Sequence, residues 1–239
     1  MVTGERAAPA TGSATRDVAL FASTYLTPIV GFPLVTYAWW RTCDRQWPLV
    51  VVIMGVPLVF GYLMPGIATH VLKRWRFTSG PRLGAYYVHH GFIYAAKLAL
   101  MLLFVFRSFA AIASVFDHVA VILVAGAASA FGGWWHDVNA VRAGRIEVDG
   151  GPDALATFAP PSYFSMGATY AGVVLAARAV LVDAPGSLAW VFPAALLAMC
   201  GLPTLVFLAV DAETRDRLLR WRAGGTLDRT DPTTRGVNE

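Results

Sequence analysis

Long apolar runs alternate along this chain with short clusters of charge, and the runs have the length of membrane-crossing helices. They cover residues 18–40, 48–71, 85–106, 109–135, 162–182 and 188–210. Each comes close to the roughly 20 residues that carry an α-helix across a hydrocarbon core of about 30 Å. A backbone group in lipid must find its hydrogen-bond partner within the protein, and a helix satisfies this segment by segment. The pattern therefore predicts an all-α, polytopic integral membrane protein, a bundle of six transmembrane helices. Residues 1–17, rich in Ala, Thr, Gly and Ser, read as a disordered cytoplasmic tail. Residues 18–211 form the transmembrane domain, and 212–239 hold a basic juxtamembrane helix, near 214–222, and a second disordered tail. The first run exceeds the apolar core of a signal peptide, so it is read as a retained helix.

Charge placement orients the bundle. Six spans put Lys73, Arg74, Arg76 and Arg82 on the same side as Arg142, Arg145, Arg215, Arg217, Arg220 and Arg222. The other side keeps Arg41, Arg45 and Arg107. Basic residues in short loops mark the cytoplasmic face. The expectation is an N-in, C-in protein of the cell membrane with both termini cytoplasmic. Tryptophans at both sets of span ends (Trp39, Trp40, Trp47 and Trp190; Trp75, Trp134, Trp135 and Trp221) fit interfacial belts.

Composition narrows the partners. The chain is 56% apolar and only 14% charged, with mean hydropathy +0.56, whereas soluble domains carry about a quarter charged residues. The net charge of +4 is not gathered into a basic stripe with exposed aromatics, so no nucleic-acid partner is expected. Membrane lipids and a hydrophobic small-molecule substrate are the expected partners. Cys43 and Cys200 fall at different depths and imply no disulfide framework.

The polar residues inside the spans carry the chemistry. Alternation of the helices brings His70, His89, His90, His136 and Asp137 to one membrane boundary. Imidazole and carboxylate at equal depth suit a divalent metal ion such as Fe or Zn, and equally suit acid–base catalysis. The sequence has no His-Glu-x-x-His motif, so the signal is one of depth only. Lys97 lies mid-span, where insertion of a lysine costs about 2.5–3.5 kcal/mol. Asp117, at matching depth across the turn between spans three and four, is its expected ion-pair partner, with His118 beside it. Tyr86, His90, Tyr94, Lys97 and Met101 step by three or four residues and share one helical face that could line a cavity. His118, Ser129 and His136 form a second line on span four. The small-residue stretch from Ala125 to Gly133 is read as a close helix contact. The loop 138–161, with a hairpin-like alternation near residue 147, could cover the histidines.

Three functions follow. The first is a membrane-embedded enzyme, an oxidoreductase or hydrolase acting on a lipid or isoprenoid, through a bound metal ion or through acid–base groups. Its catalytic set would be His90, His136, Asp137, Lys97 and Asp117, and its metal set His70, His89, His90, His136 and Asp137. Polar residues gathered at one face favour it. The second is a haem-binding redox subunit with histidine ligands. The third is a small transporter or channel using Lys97 and Asp117.

Overall fold

The computed structural model describes residues 14–108 and 114–222. Among them are six helices long and apolar enough to cross a membrane: Thr15–Thr42, Trp47–Val71, His90–Arg107, Val115–Arg142, Gly151–Leu181 and Pro185–Val210. The first span joins α1 (Ala14–Phe21) through a π-helical stretch, Ala22–Gly31, to α2 (Phe32–Thr42). Pro28 sits in that stretch and has no N–H to donate, one of the recognised reasons for a helix to depart from its regular ladder. The second span is α3 (Trp47–Gly66) with a π turn, Ile67–Val71. Then come α4 (His90–Ser108), α5 (Val115–Arg142), α6 (Gly151–Leu181), α7 (Leu188–Val210) and the short α8 (Ala212–Arg222).

The main core lies among α2 to α7, with Val52, Ile53, Val56, Ala99, Leu102, Val121, Tyr170 and Met199 fully enclosed. Two side chains with apolar bodies and one polar atom stitch the helices together. Trp39 Nε1 donates to the Ala99 carbonyl at 2.9 Å, and the Tyr170 hydroxyl donates to the Ile53 carbonyl at 2.7 Å. Such pairing is obligatory where no water competes. The small-residue stripe makes a close approach of α5 to α6: a Cβ on Gly167 would come within 2.5 Å of the Ala125 carbonyl oxygen. Outward faces are apolar, as at Ile29, Leu34, Phe131, Leu197 and Leu205.

At one end, called the strand end below, the loop after α3 forms β1 (Trp75–Phe77), β2 (Arg82–Leu83) and β3 (Tyr86–Tyr87), and the loop after α5 forms β4 (Ile146–Val148). β1 and β4 pair antiparallel, with Trp75 opposite Val148 and Phe77 opposite Ile146. β2 and β3 pair separately. A buried ion pair at 2.9 Å ties Arg74, in the same loop, to Asp211 at the end of α7. The Thr214 hydroxyl also donates to Asp211.

Four expectations change. Tyr86 and Tyr87 are strand residues, so the third helix begins at His90 rather than residue 85. The fourth begins at Val115, where Ser114 and Asp117 form a reciprocal capping box, and it runs on to Arg142. Its expected start at 109–113 falls outside the described residues. The loop 138–161 is mostly helix. Gly150, at φ 80°, turns the chain, Pro152 suits the first helical turn, and Leu155 and Ala159 bury against Val138, so Pro160 and Pro161 lie within α6. The expected hairpin is instead one strand, β4, paired with β1. The expected tails at 1–13 and 223–239 lie outside the described residues, and residues 14–17 are helical.

Candidate active site

A cavity of about 520 Å³ runs from the strand end toward the middle of the bundle. α4 supplies His90, Tyr94, Lys97, Met101 and Phe104 to it, and α5 supplies Ser129, Gly132, Gly133, His136 and Asp137. α6 adds Tyr163 and Met166, and the π stretch of the first span adds Ser23 and Thr24. Trp75, Phe77, Ile146 and Val148, from the paired strands, close its end. The lining is mostly apolar with a few converging polar groups, which is the usual make-up of a small-molecule site.

His136 Nδ1 stands 2.8 Å from Asp137 Oδ1. An ionised carboxylate can only accept, so Nδ1 carries the proton and Nε2 keeps its lone pair. The Tyr163 hydroxyl donates to the other carboxylate oxygen, Oδ2, and the Tyr94 hydroxyl adjoins that of Tyr163. Gly133 makes room for this: a Cβ there would fall 2.7 Å from the Tyr163 ring. Both Asp137 oxygens are thus engaged. Lys97 lines the same cavity within electrostatic reach of Asp137 but has no hydrogen-bond or ion-pair partner among the described residues. His90 is 6% exposed, packs among Trp75, Phe77, Tyr86 and Tyr94, and neither of its ring nitrogens has a hydrogen-bond partner among the described residues.

His90, Lys97 and His136, which the helical faces put toward one cavity, do line it together, and Asp137, expected by depth alone, joins them through His136. Other expected members do not. Asp117 is spent on the α5 cap: its carboxylate accepts from the Ser114 backbone N–H and hydroxyl, both at 2.8 Å. The later start of α5 moves it toward the far end of the bundle, away from Lys97, so the expected pair does not form. His118 Nδ1 lies 2.7 Å from the Ser114 carbonyl at the same end.

The five expected metal ligands divide among three places. His70 is exposed, turned toward Thr69 and the Gly66 carbonyl, with its ring against Tyr86. His89 stacks on Tyr87 at 5.3 Å and contacts Tyr25, outside the cavity. Burial lowers its pKa from 6.5, against the pull of the Thr24 carbonyl, and so favours a neutral ring. Being adjacent to His90 on a chain just entering a helix, His89 points elsewhere. Among the described residues no three His, Cys, Asp or Glu side chains are grouped to hold a metal ion.

The sequence reading left Tyr163 without a role. Its signal was its position at the boundary level of His136, but the partner only becomes visible once α6 is seen packed on α5.

No known family model, curated protein or solved structure matches this chain.

Proposed function

We propose that this protein is a membrane-embedded enzyme that performs proton transfer on a lipid or isoprenoid substrate, with His136 as the acid–base group. The observation that carries the reading is the His136–Asp137 pair facing a largely apolar cavity inside a span. Asp137 fixes the imidazole tautomer and stabilises the imidazolium that forms when Nε2 takes a proton. Tyr163 holds the carboxylate in place from α6. Lys97, without a hydrogen-bond or ion-pair partner among the described residues, stabilises negative charge developing on a substrate oxygen. The apolar walls hold the substrate's chain and keep water from competing. The spread of the expected metal ligands moves the proposal from metal-assisted chemistry to acid–base chemistry.

The strand end is assigned to the cytoplasm on the basic residues of its loops, Lys73, Arg74, Arg76, Arg82 and Arg145. A fluorescent protein fused after residue 239 should fold and emit, and a periplasm-active reporter there should stay silent.

The test of function is a comparison of total lipid extracts from cells expressing the wild-type chain or His136→Ala at equal protein level. A lipid species that changes in mass or abundance with the wild type and not with the variant supports the reading. Identical extracts from both would sink it.

A further inference from the structure

The cavity has one closed end and one open side. Phe77, Tyr87 and Ile146, which line it at the strand end, are all under 8% exposed. The lining residues that also reach the outer surface are Leu100 and Phe104 on α4 and Ala128, Gly132 and Trp135 on α5. Phe104 is 65% exposed and Trp135 43%. These five lie along the spans, not at their loops. α5 takes its close contact from α6, through Gly167, and so stands apart from α4 along this line. The opening therefore faces hydrocarbon.

The polar groups beyond the opening show what it admits. Asp137 has both oxygens engaged, by His136 and Tyr163. Among the described residues the polar groups left over in the cavity are the Lys97 ammonium, the two buried ring nitrogens of His90, the Ser23 hydroxyl and the Nε2 edge of His136, and of these Lys97 carries the positive charge. A cation inside a span normally has a partner, and a buried polar atom without one is costly. The missing partner is an acceptor carrying negative charge.

We propose that the gap between α4 and α5 is a lateral portal through which a single-chain amphiphile with an anionic head, carboxylate or phosphate, enters from the bilayer. The head sits between Lys97 and His90, and the chain runs out past Phe104 and Gly132. This rests on the reading of the cavity as a lipid-substrate site and names the substrate class and its route. Gly132 is the sill: a Cβ there would meet nothing within 4 Å, so a large side chain can be added without disturbing the helix packing and would stand in the opening.

The experiment uses the full chain in proteoliposomes and a long-chain fatty acid carrying a diazirine in mid-chain. Photolabelling is mapped by peptide mass spectrometry, with and without excess unlabelled fatty acid or single-chain alkyl phosphate. The expected result is labelling on α4 and α5 that either anion displaces and the matching fatty alcohol does not. It should fall by about tenfold in Gly132→Trp, the scale of a steric difference in an apolar pocket, and fall in Lys97→Met. Gly201→Trp, an equally unobstructed site on α7, should label as the wild type does. Displaceable labelling of the cavity that survives Gly132→Trp would overturn the portal and leave the lipid-site reading standing. Displacement by the alcohol would overturn the anionic head. Labelling that nothing displaces would overturn the whole proposal, while the functional reading would still rest on the His136 lipid comparison. A change of oligomeric mass in Gly132→Trp would assign this face to a second copy and overturn the portal.

Discussion

The Nδ1 atom of His136 and the Oδ1 atom of Asp137 lie 2.8 Å apart on consecutive residues of α5. Neighbours on a helix point about 100° apart, so they meet only when one side chain turns across the helix surface. Here that leaves Nε2 as the free edge of the ring. Asp137→Asn keeps the shape of the side chain but removes the charge that fixes the tautomer. The lipid change attributed to His136 should fall by about 10²–10⁴-fold, the usual contribution of a positioned acid or base, while expression stays near wild type. Unchanged turnover in Asp137→Asn would mean that His136 works without it.

The two glycines at 132 and 133 should behave oppositely. Gly133→Ala drives a methyl into the Tyr163 ring and should displace the hydroxyl from Asp137, lowering turnover as Tyr163→Phe does. Gly132→Ala meets open space and should be close to silent. Turnover of the two alanine variants, measured side by side, checks this, and equal losses would count against the role of Tyr163.

Arg74 and Asp211 hold the strand end together across 137 residues of sequence. Asp211→Ala leaves a buried guanidinium unpaired and should lower stability by about 3–5 kcal/mol, whereas replacing both residues with apolar ones of similar size should recover much of the loss. Thermal unfolding in detergent distinguishes the two. A double variant as unstable as the single would show that the pair does more than neutralise itself.

Lys97 and Asp117 should act independently. Asp117→Ala removes the carboxylate half of the α5 capping box while Ser114 still accepts from the residue 117 backbone N–H, a loss of about 0.5–1 kcal/mol, and Lys97→Met relieves a cavity cation. Losses of stability in the double variant should add to within about 0.5 kcal/mol. Coupling larger than that would restore the ion pair expected from the sequence.

The six-helix bundle was legible because membrane spans announce themselves by length and apolarity alone; depth grouped His90, His136 and Asp137, and the helical faces put Lys97 in one cavity with His90 and His136. What failed did so for local reasons. Asp117 was placed by counting from a turn, but Ser114 caps α5 and draws Asp117 into the capping box of its first turn, which changes its depth. His70 and His89 share the right level and face the wrong way, because level along a membrane normal says nothing about azimuth. Residues 151–161 looked like a loop because of Pro160 and Pro161, yet burial of Leu155 and Ala159 outweighs the two lost N–H groups. Tyr163 needed the α5–α6 contact, which no periodicity within one helix reports.

The pairing of β1 with β4 sets an order of events during synthesis. Arg76 and Glu147, facing each other across the two strands, are 71 residues apart, and α4 and α5 both lie between them. β1 therefore emerges long before its partner exists; Phe77 can already stack on Tyr87 of β3, but Trp75 and Phe77 gain their cross-strand neighbours Val148 and Ile146 only after the fourth span has been made. The cavity cannot form in that interval, because α5 and then α6, which supply His136, Asp137 and Tyr163 to it, are made later. The enclosed site is thus a late product of biogenesis, closed at the strand end only when the chain returns to the side where it left β1.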